Sequence, residues 1–224
     1  DEFAVLLPVS SVQQSRGAAL KIMDSLKRRI TLEDIDAWTG ASIGIHLAEP
    51  NEDASAIMLR ADTAMYAAKE DVHRRIKVFE PVMLYRRQLR RRTARELRRA
   101  VPNGELFLEY QPVVELKSGR LQGVEALVRW NHPSRGVVMP DNFIPLAEET
   151  GLIVGIGRWV LGTALQQLEQ WRPLLPADGK FLLRVNLAAS ELQNMDLVDF
   201  VRGSLRKTGS TPGELVLEIT EGAL

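Results

Sequence analysis

The sequence has no cysteine among its 224 residues, which excludes disulfides, thiolate metal sites and thiol nucleophiles. It holds only three histidines, so imidazole chemistry has little material to work with. No apolar run approaches the roughly 20 residues that a membrane helix needs, and the first residues lack the basic and apolar regions of a signal peptide. Soluble, cytoplasmic domains are therefore expected, with membrane anchoring upstream left open. An excess of either charge is also missing: Lys plus Arg and Asp plus Glu both number 29, which gives no general affinity for polyanions or membrane surfaces. What is present, 45% hydrophobic and 26% charged residues, suffices for one large or two small cores. The chain opens at Asp1-Glu2-Phe3 without a Met and runs straight into Ala4-Val5-Leu6-Leu7, a predicted strand, so it reads as cut at its start.

Apolar residues at helical spacing predict amphipathic helices over 12–29, through Ala19, Ile22 and Leu26, and over 57–69, through Ala61, Ala64 and Ala68. Strands around Ile43 and over 76–79 complete a βαβαβ-like alternation with too few strands for a whole α/β domain. Residues 81–102 then have no internal Gly or Pro and carry eight arginines between Arg86 and Arg99. They predict a linker helix about 30 Å long at ~1.5 Å per residue. Its arginines suit a solvated face; nucleic-acid binding is the alternative and is not expected, because stacking aromatics are missing nearby. Beyond it come predicted strands over 106–115, 121–130, 181–188 and 214–220, and helices over 140–150, 157–171 and 190–207. Parallel strands with crossover helices are implied. Four strands cannot close a barrel, so a (β/α)₈ architecture requires about as many residues again beyond Leu224.

Strand alternation places polar atoms unusually. Glu125 and Arg129 share one face of their strand while Val124, Ala126, Val128 and Trp130 share the other. Asn186 opposes Val185 and Leu187, and Glu218 opposes Leu217 and Ile219, in the same manner. If the apolar faces pack on helices, Glu125, Asn186 and Glu218 converge inside the sheet. Two carboxylates and an amide oxygen suit a hard divalent cation, Mg²⁺ or Mn²⁺, with Arg129 available for a phosphate oxygen. The plainer reading stays open: strand glutamates often belong to structural ion pairs, Asn186 alone suits a turn, and Arg129 could pair with Glu125.

Tyr110-Gln111-Pro112, Glu125-Ala126-Leu127-Val128-Arg129-Trp130, His132-Pro133, Phe143-Ile144-Pro145, Val185-Asn186-Leu187 and Leu217-Glu218-Ile219-Thr220-Glu221 together resemble the EAL family of cyclic-di-GMP phosphodiesterases, in order and spacing. The resemblance implies a TIM-like barrel that linearises cyclic di-GMP to pGpG with Mg²⁺ or Mn²⁺. It makes Glu125, Asn186 and Glu218 metal ligands, with Glu125 and Glu221 in catalytic roles, Glu221 steadying a loop. Arg129 and Gln111 become substrate contacts. Ala188 stands where the family's Asn-Leu-Ser motif has its hydroxyl, and a further Asp-Asp pair and Lys are expected beyond Leu224, so this stretch alone should not hydrolyse anything. Asp1-Glu2-Phe3, Ser42-Ile43-Gly44-Ile45 and Ala61-Asp62-Thr63-Ala64-Met65-Tyr66-Ala67-Ala68-Lys69 resemble the tail of a GGDEF, or diguanylate cyclase, domain. That likeness implies Asp1 as a metal ligand, Lys69 as a phosphate contact and GTP as a partner. Val72-His73-Arg74 departs from the Gly-Arg-Asn expected there, which implies a degenerate or regulatory domain.

The expected organisation is thus α/β throughout: 1–80 as the back part of a GGDEF domain, 81–102 as linker helix, and 103–224 as the front part of an EAL barrel. A homodimer through the EAL part belongs to the same expectation. The alternative function is a receptor that binds cyclic di-GMP or GTP without cutting and signals through the linker.

Overall fold

The computed structural model describes residues 2–9, 11–27, 30–32, 35–37, 39–71, 74–175 and 181–219. It forms two compact units, divided between Arg90 and Arg91.

In the first unit α1 (Val12–Leu26) starts where the Ser11 hydroxyl accepts a bond from the Gln14 N–H at 3.2 Å, satisfying one of the donors that every helix start leaves open. A short antiparallel hairpin follows, β1 (Ile30–Leu32) with β2 (Ile35–Ala37), which the apolar pattern did not predict. Then β3 (Ile43–Ile45), α2 (Ala54–Glu70) and β4 (Ile76–Val78) make a βαβ turn in which the two strands pair in parallel. Gly44 is required there: a Cβ on it would lie 2.1 Å from the Ala61 carbonyl oxygen, so only glycine lets α2 lie this close to β3. Asp53 caps α2 by accepting from the Ser55 and Ala56 N–H groups. The strand predicted at 4–7 is absent; these residues pair with no strand among the described residues, and Leu6 is 92% exposed.

The Arg-rich run forms α3 (Pro81–Ala100). Within the first unit its Arg87 pairs with Asp62 at 2.7 Å and lies over the Tyr66 ring.

The second unit is a sheet with helices on one face. Its strands are β5 (Leu106–Val114), β6 (Leu121–His132), β7 (Gly136–Val138), β8 (Leu182–Leu187) and β9 (Leu215–Ile219). They run in the order β5-β6-β8-β9, with β7 also on β6. The pairs β6–β8 and β8–β9 are parallel, as expected for strands joined by helices. The pair β5–β6, which no helix connects, is antiparallel and stands outside the expected pattern of parallel strands with crossover helices. Its connection is a tight turn, closed by the Gly119 N–H on the Glu115 carbonyl at 2.8 Å with Gly119 at φ 68°; a parallel crossover needs a dozen or so residues.

Between β7 and β8 lie a 3₁₀ turn (Pro140–Asn142), α4 (Ile144–Glu149) and α5 (Ile153–Trp171). The helix predicted over 190–207 is broken into α6 (Ala189–Leu192) and α7 (Leu197–Lys207). Asn194 diverts the chain between them, its side-chain oxygen accepting from the Asp196 N–H at 3.1 Å. The core forms where Val124, Ala126, Trp130, Leu183 and Val185 of the sheet meet Ile156, Leu161, Leu165 and Leu168 of α5, all buried. Trp130 is fully buried and still satisfied, its indole N–H donating to Glu105 at 3.0 Å; that bond holds the Glu105 carboxyl below the usual range.

Candidate functional site

With one face of the sheet committed to the helices, the alternation of β6, β8 and β9 turns Glu125, Asn186 and Glu218 to the other. The register puts Glu125 opposite Arg184 on β8, and Asn186 opposite Glu218 on β9. Asn186 donates its amide N–H to Glu125 Oε1 at 2.7 Å, which couples two of the predicted ligands directly. Glu218 lies on the next strand and accepts from Arg184 Nη1 at 2.7 Å.

Arg129 is on the same face of β6 and is buried, 8% exposed. Its partner is Glu109 of β5, at 2.7 Å from Nε, with a second bond from Nη1 to the Val128 carbonyl. The plainer pairing of Arg129 with Glu125 is therefore not what forms. Gln111 sits directly across from Glu125 in the β5–β6 register and is exposed. In the first unit, Lys69 lies exposed in the last turn of α2. Asp1 and Glu221 lie outside the described residues.

The donor set suits a hard cation: two carboxylates and an amide whose N–H is already engaged with Glu125, leaving its oxygen to serve as a ligand. It makes only part of a coordination shell, since no group of three or more acidic or histidine side chains is placed to hold a metal ion among the described residues.

Residues 94–224, more than half of the chain, match the family described as the EAL domain. The chain belongs to the EAL domain family. Residues 1–75 match a second family, described as diguanylate cyclase, GGDEF domain. Among curated proteins, the bifunctional diguanylate cyclase/cyclic di-GMP phosphodiesterase MucR of Pseudomonas aeruginosa is 36% identical over 99% of this chain and 32% of its own. Cyclic di-GMP phosphodiesterase PdeR of Escherichia coli is 35% identical over 100% of this chain and 33% of its own. The chain thus spans about a third of these relatives. A solved structure described as the PaMucR phosphodiesterase in complex with c-di-GMP superposes with a TM-score of 0.55 and 42% identity, covering 58% of this chain and 52% of that one.

Two residues of the EAL part escaped the sequence reading. Arg184 precedes Asn186 by two and so shares its face, a placement that alternation alone could have given. Glu191 of α6 is 4% exposed, accepts from the Ala188 N–H at 3.0 Å, and has its pKa raised by burial. It lines a cavity of about 20 Å³ with Asn186, Arg158 and Phe200; that is room for a water and not for a nucleotide. Its only sequence signal is its place three residues after Ala188, where a side chain can reach back to a helix start.

Proposed function

We propose that the protein carrying this chain hydrolyses cyclic di-GMP to pGpG, using a divalent cation, Mg²⁺ or Mn²⁺, on the sheet face that carries Glu125, Asn186 and Glu218. The observation that supports this most directly is the placement of three oxygen-bearing side chains on one face of three adjacent strands, with Asn186 bonded to Glu125 at 2.7 Å. When bound, such a cation makes water more acidic and offsets phosphodiester charge.

The chain's own residues then have definable tasks. Glu125 and Glu218 would supply anionic oxygens, and the bond to Glu125 engages the Asn186 N–H and leaves its carbonyl oxygen to serve as a ligand. Glu109 and the Val128 carbonyl hold Arg129 in place, which leaves its Nη2 for a phosphate oxygen. Gln111, exposed across from Glu125, contacts the substrate. Glu221 steadies a loop of the site. The domains divide near 1–80, 81–102 and 103–224. In the first of these, Lys69 and Asp1 serve GTP and its metal in a regulatory role, and the EAL part carries a homodimer contact.

The test is conversion of cyclic di-GMP to pGpG by the full-length protein with Mg²⁺ or Mn²⁺. Glu125→Gln should lower kcat/KM by about 10²-fold or more, the scale expected when a metal site is disturbed. Unchanged turnover in that variant overturns the assignment. One observation favours the receptor reading, binding without cutting: a guanidinium already occupies one oxygen of Glu218. Saturable cyclic di-GMP binding with no pGpG formed in either metal would establish it instead.

A further inference from the structure

Arg184 is a permanent cation set among the proposed metal ligands. It lies on β8 two residues before Asn186, across from Glu125 in one register and bonded to Glu218 at 2.7 Å on the other side. A guanidinium offers donors and no acceptor, so at this place it acts as a fixed positive charge. Its fit is also incomplete: the Nε–H is buried and has no hydrogen-bond partner among the described residues. A donor left in that condition stabilises its surroundings less than a fully satisfied one.

We propose that Arg184 is an internal counter-ion that competes with the divalent cation for Glu218 and thereby weakens metal binding at this site. Without metal, Glu125 and Glu218 place two negative charges on nearby strands, and Arg184 reduces the net charge of the group from −2 to −1. A divalent ion entering between Glu125, Asn186 and Glu218 must either displace Nη1 from the carboxylate or remain beside a positive charge. Both raise its dissociation constant, since the affinity of hard-cation sites follows the charge count of their ligands. The Arg184 and Glu218 side chains are 28% and 33% exposed, so water screens the competition and its size is moderate. The consequence is a site that fills only at high metal concentration, with Arg184 holding Glu218 in place while it is empty.

The inference rests on the metal reading above, and its test measures metal directly. Mn²⁺ is titrated into the full-length protein without nucleotide, and free Mn²⁺ is followed by electron paramagnetic resonance. Arg184→Gln should tighten Mn²⁺ binding by roughly tenfold, whereas Arg184→Lys, which keeps the charge, should stay within about threefold of the wild type. Circular dichroism and thermal unfolding establish that both variants are folded; if Arg184→Gln is not, Arg184→Ser takes its place. Equal Mn²⁺ affinity in wild type and the neutral variant, or weaker binding in the variant, overturns the inference while leaving the hydrolase reading intact. Failure of every form to bind Mn²⁺ overturns both. A protein that binds Mn²⁺ more tightly as the neutral variant yet releases no pGpG supports the inference and sinks only the hydrolysis.

Discussion

Gly157 of α5 leaves the space that the Glu191 carboxyl fills. A Cβ at that position would meet Glu191 Oε1 at 2.0 Å, and the carboxylate is at the same time tied to the Ala188 N–H. Gly157→Ala therefore forces the side chain out of its pocket or bends the chain, and should cost about 1–3 kcal/mol, the usual range for overpacking a buried site. A drop in urea midpoint without a change in slope would register it, and an unchanged midpoint would refute it. Glu191 also carries a pH prediction. Burial raises its pKa above the ordinary 4.5, with Glu148 adding to the shift, while the Ala188 N–H and Arg158 oppose it. The neutral form thus fits the fold best, so its contribution is full below the ordinary carboxylate value and is lost as pH rises through the raised one. Glu191→Gln, neutral at every pH, should flatten the loss of thermal stability as pH rises above the ordinary carboxylate value. Parallel curves for the two proteins would show that the carboxyl titrates elsewhere.

At the scale of the element, the two faces of the strands were readable, as was the parallel course of β6, β8 and β9, which helices connect; the direction of β5 was not. Alternation in β6, β8 and β9 gave the apolar side and set Glu125, Asn186 and Glu218 on the other, because a pleat fixes the period at two whichever way the neighbour runs. It carries no information on direction. That lay in the connection, where Lys117-Ser118-Gly119-Arg120 is far too short for a crossover and marks an antiparallel pair. The Arg129 partner was hidden for the same reason: Glu109 is 20 residues earlier, and only the antiparallel register of β5 brings Phe107 opposite Arg129 and Glu109 within reach. The apolar stripe of α5 was legible, and Leu165 in its middle is fully buried against the sheet. Leu165→Ala should destabilise the second unit by about 2–5 kcal/mol, lowering its chemical unfolding midpoint. A loss below about 1 kcal/mol would mean that α5 is not the main cover of this face.

Across the whole molecule the acidic and basic residues balance, and the arginines of α3 are in part met by acids close at hand, Arg87 by Asp62, Arg90 by Glu70 and Arg92 by Glu96. With no net field to draw in anions or cations, binding has to come from local sites, such as the proposed cation site on the sheet face of the EAL part. A ligand that binds only the folded protein stabilises it by mass action, about 2.7 kcal/mol when its concentration is 100 times the dissociation constant. For a domain of this size that corresponds to roughly 5–10 °C in Tm. Saturating Mn²⁺ should therefore raise the unfolding temperature of the EAL domain within the full-length protein by that amount, and excess EDTA should reverse it. Glu218→Ala removes one anionic ligand and leaves Arg184 without its partner, so the Mn²⁺-dependent rise should shrink to a small fraction of the wild-type value. A full rise in that variant would place the cation elsewhere in the protein, because a site that loses a charged ligand and keeps a nearby guanidinium cannot retain its affinity.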